Sequence, residues 1–183
     1  MIGRFAGRYR GTEMKTKQTI KLGISSCLLG NHVRYDGGNR LDKYILDTFD
    51  RIVEWVPVCP EVESGMSVPR EPMHLVGAIV TPRLITIETR RDRTDELTRW
   101  IGIKLRELER AGLRGFVLKA RSPSCGVLSA ELFSISGISV GSTSGLFAEA
   151  VLRSFPSLPV EDEEGLRDPA RRERFLGQIQ NKP

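Results

Sequence analysis

Three cysteines, Cys27, Cys59 and Cys125, are the residues of this sequence best suited to chemistry. They stand far apart and form no CxxC pair, which argues against a zinc ribbon and a thioredoxin-like redox site. Their odd number excludes a complete disulfide framework. Taken singly, each reads as a small buried hydrophobe. Brought together, three thiolates make a soft site suited to an iron–sulfur cluster, Cu(I) or zinc. A four-iron cluster normally takes four cysteines, so three would leave one iron with an open, Lewis-acidic position. Structural zinc would need a fourth protein ligand, and the only histidines, His32 and His74, have no clear reason to supply it. A cysteine nucleophile with a histidine base would leave the other two thiols without a use.

Other polar groups lie close to the thiols. Glu61 follows Cys59 by two residues, where a carboxylate raised in pKa by burial can act as a general base. Its plain alternative is a solvated loop glutamate. Ser122 and Ser124 flank Pro123 just before Cys125, placed to hydrogen-bond a heterocycle or simply to form a turn. Arg34, Tyr35, Asp36 and Asn39 make a polar loop after Cys27. Gly126 lets backbone N–H groups approach a ligand.

The elements that must position these groups alternate. Residues 20–25 predict a buried strand that runs into Cys27, and 41–52 predict a helix with apolar residues at helical spacing. A β-branched and aromatic strand over 52–58 leads to Cys59. The Pro/Gly-punctuated excursion 60–82 is too long for a simple turn and reads as functional. Residues 84–87 suggest an edge strand or hairpin arm, and Thr94 opens a long amphipathic helix that Gly112 ends. A strand over 115–119 leads to Cys125, and a Gly/Ser-rich stretch leads to the helix GLFAEAVLRSF. Residues 158–161 predict a closing strand, and a charged surface helix follows. This order predicts a single three-layer, Rossmann-like α/β domain with a mainly parallel sheet. Such sheets bind ligands beyond the carboxyl ends of their strands. Parallel strands would carry all three cysteines to that one edge.

Composition sets the outer bounds. At 183 residues, 39% hydrophobic and 28% charged, the chain can bury a full core, which excludes a disordered polypeptide. No apolar run approaches the roughly 18 residues of a membrane span, and the first residues lack the apolar core of a secretory signal. The expectation is a cytoplasmic protein without a membrane partner, as monomer or homodimer. The net charge of +5 resides mostly in Arg4, Arg8, Arg10, Lys15 and Lys17, so the body is nearly neutral and does not read as an RNA-binding surface. We therefore divide the chain into a basic, disordered leader at 1–18, the α/β domain at 19–162, and a charged helix or tail at 163–183.

The stretches SSCLLGNHVRYDGGNR, VCPEVESGMSVPREP, KARSPSCG and GISVGSTSGLFAEAV, in that order, resemble the thiouracil desulfurase family over roughly residues 20–160. The resemblance implies a [4Fe-4S] cluster held by Cys27, Cys59 and Cys125, and removal of sulfur from thiolated pyrimidines without net redox change. It puts the catalytic carboxylate on Glu61 and the catalytic hydroxyl on Ser122. Arg34, Asp36, Asn39, Ser124 and Gly126 are then expected around the substrate. In the implied reaction the open iron receives the thiocarbonyl sulfur, water activated by Glu61 attacks the ring carbon, and the cluster accepts the sulfur. Val33 stands where some members have a further cysteine, and Val68 where threonine is common; the latter bears on substrate fit, not on the cluster. Related proteins carry an added RNA-binding domain, and RRERFLGQIQNKP resembles the start of a connector to one. Free thiopyrimidines are the expected substrates, with thiouridine in tRNA as the alternative. A non-catalytic zinc or iron–sulfur module is the third reading.

Overall fold

A computed structural model describes residues 20–181. The basic leader assigned to 1–18 lies outside the described residues. A four-stranded parallel sheet runs in the order β2-β1-β5-β8, with β1 Ile20–Ser25, β2 Val53–Val58, β5 Gly115–Leu118 and β8 Val160–Asp162. All four residues of β5 are buried, as expected of a strand covered on both faces. Helices α1 (Lys43–Phe49) and α5 (Pro169–Asn181) cover one face, where Leu22, Ile24 and Val117 meet Ile45, Phe49, Phe175 and Ile179. Helices α3 (Thr94–Ala111) and α4 (Leu146–Ser154) cover the other, with Phe116 and Leu118 against Leu97, Ile101, Leu108 and Phe147. This is the three-layer α/β arrangement that the alternation predicts.

Helix α3 shows how directly sequence becomes packing here. Asp95 and Glu96 sit in its first turn, favourable to the helix dipole, and Gly112 ends it at φ 66°. Its apolar stripe buries Leu97, Ile101 and Leu108. The charged closing helix α5 also contributes to the core. Phe175 is 1% exposed and meets Phe49 edge to face at 6.0 Å, while a Cβ on Gly115 would lie 2.8 Å from Ile179. Truncation of so enclosed a ring leaves a cavity, so Phe175→Ala is expected to cost about 3–5 kcal/mol in urea unfolding. A loss within about 0.5 kcal/mol, typical of surface changes, would mean that α5 is only draped on the domain.

A second sheet has the order β4-β3-β6-β7, built from β3 Met73–Ala78, β4 Thr81–Thr86, β6 Ala130–Phe133 and β7 Ser139–Thr143. Two antiparallel hairpins, β3–β4 and β6–β7, join through the parallel pair β3 and β6. Leu75, Leu84 and Leu132 root this sheet in the core shared with α3 and α4. The excursion 60–82 therefore holds the short helix α2 (Pro60–Glu63) and β3, and the Gly/Ser-rich stretch is the exposed edge strand β7. Gly141 and serines weaken strand propensity in β7, and β6 has only four residues, so neither carries a readable period.

Candidate active site

β1 and β2 end side by side, with Ser25 opposite Val58. Cys27 follows β1 in a 3-10 turn, Ser26–Leu29, closed by Gly30 at φ 90°. Cys59 follows β2 and caps α2, its backbone N–H donating to Glu63 Oε1 at 2.8 Å. Lys104 of α3 in turn pairs with Glu63 at 2.8 Å, which fixes the short helix. Cys125 lies further from its strand than the sequence suggested, in the loop 119–129 after β5. That loop is clamped to the scaffold by helix α4. The N–H groups of Leu146, Phe147 and Ala148 donate to the carbonyls of Pro123 and Ser124, satisfying the otherwise unpaired helix start. A Cβ on Gly145 would lie 2.5 Å from Ser124 C, so only glycine permits this approach.

The three thiols, all free, line one cavity of about 400 Å³ together with Glu61 and Ser122. Arg34, Arg40, Arg70, Lys119 and Arg121 also line it, and all but Arg40 pair with a carboxylate: Asp36, Glu61, Glu163 and Glu164 respectively. Burial pushes the Cys27 thiol up to about 11, Cys59 adds to the rise, and Lys119 and Arg34 pull against it. Burial likewise raises Cys59, and raises Cys125 well above the usual thiol value. Metal loading must displace these protons.

Glu61 is held from both sides. Arg70 donates to its Oε2 from Nε at 2.8 Å and from Nη2 at 2.5 Å, and the Ser124 hydroxyl donates to Oε1 at 2.9 Å. Ser122 Oγ accepts the backbone N–H groups of Ser124 at 3.2 Å and Cys125 at 3.1 Å. Its own proton has no acceptor among the described residues, so it can donate to a ligand.

Of the five residues expected around a substrate, only Arg34 lines the cavity. The others build the loops. Asp36 accepts from Gly38 N at 2.9 Å and pairs with Arg34 at 3.4 Å. Asn39 accepts from Leu41 N at 3.1 Å and meets His32 at 3.3 Å. Ser124 is fully buried on Glu61, and Gly126 is packed where a Cβ would meet Ser122 O at 2.9 Å. Asp36 and Asn39 thus bond backbone N–H groups two residues on, as short polar side chains in turns do. Conversely, Arg70, Lys119 and Arg121 had no role in the sequence reading, although all three stand in the quoted stretches VPREP and KARSPSCG. Lys119 is fixed by a pair with buried Glu163 and by Ala120 O at 3.0 Å.

The donor chemistry fits a thiolate-ligated cluster. Three soft ligands share one cavity, and the cations around them offset the charge of thiolates and sulfides. Among the described residues no group of three or more His, Cys, Asp or Glu side chains is arranged to hold a metal ion.

Known proteins match this chain in sequence and in fold. A family described as 2-thiouracil desulfurase matches residues 22–163. A curated relative, the uncharacterized protein YbbK of Bacillus subtilis (strain 168), is 30% identical over 109 residues, 56% of this chain and 71% of its own. A solved structure titled [4Fe-4S]-dependent thiouracil desulfidase TudS superposes with a TM-score of 0.63 at 29% identity, covering 85% of this chain and 99% of that one.

Proposed function

The chain belongs to the 2-thiouracil desulfurase family, and we propose that it hydrolyses the carbon–sulfur bond of thiolated pyrimidines, thiouracil among them. The observation that carries the proposal is the meeting of Cys27, Cys59, Cys125, Glu61 and Ser122 in one cavity at the carboxyl edge of the parallel sheet. Thiocarbonyl plus water gives carbonyl plus hydrogen sulfide, so the reaction balances without an oxidant or reductant.

Cys27, Cys59 and Cys125 would hold a [4Fe-4S] cluster. When bound, that group supplies a thiophilic Lewis acid that polarises the C=S bond. The remaining work falls to the chain itself. Glu61 accepts a proton from the attacking water as oxygen adds to the ring carbon. The Ser122 hydroxyl, steadied by two backbone N–H groups, donates to the ring and orients it. Arg40, which pairs with no carboxylate among the described residues, favours the negative charge that develops as the C=S bond breaks. Among the described residues no helix is long and apolar enough to cross a membrane. Three free thiols suit the reducing cytoplasm that we assign to the protein.

Anaerobically reconstituted protein should convert free 2-thiouracil or 4-thiouracil, assayed by loss of the thiocarbonyl absorbance. Thiolated tRNA serves as the second arm of the same assay. Turnover of tRNA alone would move the substrate to nucleic acid, and turnover of neither would overturn the proposal.

A further inference from the structure

An ionised carboxylate offers about four lone-pair positions to donors. Arg70 occupies both on Glu61 Oε2, through Nε at 2.8 Å and Nη2 at 2.5 Å. Ser124 takes one on Oε1 at 2.9 Å. No other donor reaches this carboxylate among the described residues, so the one remaining position is on Oε1.

The two donors are themselves anchored to different parts of the fold. The Ser124 carbonyl receives the N–H groups of Phe147 at 2.9 Å and Ala148 at 3.1 Å, so the serine is fixed by the start of α4. Its backbone N–H donates to Ser122 Oγ at 3.2 Å. One buried residue thus holds both Ser122 and Glu61. Arg70 secures the opposite side, with Nη2 also on Val33 O at 2.9 Å and its backbone N–H on Tyr35 O at 2.8 Å. Those acceptors belong to the loop that follows Cys27.

We infer that Ser124 and Arg70 are positioning residues, which saturate Oε2 and leave Glu61 Oε1 as the oxygen that receives the attacking water. The inference rests on the assignment of Glu61 as base. Ser124 acts through Glu61 and Ser122 and does not touch the substrate. A merely structural buried pair would support the fold and show no special dependence on Glu61.

The test is a double-mutant cycle on anaerobically loaded protein, reading kcat and KM for 2-thiouracil and iron and sulfide content. Ser124→Ala should lower kcat about tenfold, the worth of one hydrogen bond to a charged group, with KM within about twofold. Iron and sulfide should stay at the wild-type level. In a Glu61→Gln background the same change should lower kcat no further, because residues that act as a unit are not additive. Arg70→Lys keeps the charge and loses the fork, so it should also lower kcat about tenfold with the cluster retained. A rise in KM at constant kcat for Ser124→Ala would make it a substrate contact and overturn the inference. Equal losses in both backgrounds would overturn it while leaving Glu61 as base. Full turnover by Glu61→Gln alone would overturn the base assignment, and this inference with it.

Discussion

Cys59→Ala protein, reconstituted under anaerobic conditions, is expected to lose its iron and sulfide and with them its desulfurase activity. Cys59 gives the cleanest test of the three because it is the least buried; Cys27 and Cys125 lie within the core, where truncation also disturbs packing. The backbone N–H of residue 59 keeps its bond to Glu63, so helix α2 and Glu61 should remain in place. Two thiolates cannot hold a cube that needs at least three protein ligands. Removal of a Lewis acid worth about 4 kcal/mol in the transition state lowers turnover by about 1,000-fold or more. Colorimetric iron and sulfide content per chain, alongside an unfolding midpoint, separates loss of the cluster from loss of the fold. Wild-type iron in the variant would show that Cys59 is not a ligand.

Glu61→Gln carries the second large effect. Glutamine keeps the size and one acceptor oxygen, yet it removes the negative charge that Arg70 grips with two donors. The variant should load its cluster and bind thiouracil, while kcat falls about 100-fold or more, within the range for a lost general base. Ser122→Ala is the comparator and should cost about tenfold, because water can partly replace an orienting hydroxyl. The order distinguishes the roles. If Ser122→Ala abolished turnover and Glu61→Gln did not, the hydroxyl would be the proton acceptor and Glu61 a partner that neutralises Arg70.

Much of this site is legible in the sequence because parallel sheets act as alignment devices. Strands β1, β2 and β5 announce themselves by apolar runs, and once parallel they bring Cys27, Cys59 and the loop to Cys125 to one edge. The charge clamp on Glu61 is not legible in this way. Arg70 reaches Glu61 because the chain doubles back after α2, and Ser124 reaches it across 63 residues. No periodicity reports such contacts. Of the second sheet only the edge strand β4 is legible, from residues 84–87; the rest is hidden for a different reason. Its strands β3 and β7 sit largely at intermediate or full exposure, so the alternation that marks a half-buried strand is weak in them. Phe175 and Ile179 were masked by the arginines around them in α5, where two buried positions suffice to dock a helix with a charged outer face.

The central claim, hydrolytic sulfur removal at a three-cysteine centre, is tested most directly by the stoichiometry of one reaction. Cluster-loaded protein would be incubated anaerobically with 2-thiouracil in water enriched in oxygen-18, with no reductant or oxidant added. Uracil and sulfide would then be quantified together. The account predicts equal amounts of the two, with one heavy oxygen from solvent in each uracil formed and many turnovers per chain. Sulfide without labelled uracil, or a reaction that proceeds only when electrons are supplied, would contradict it.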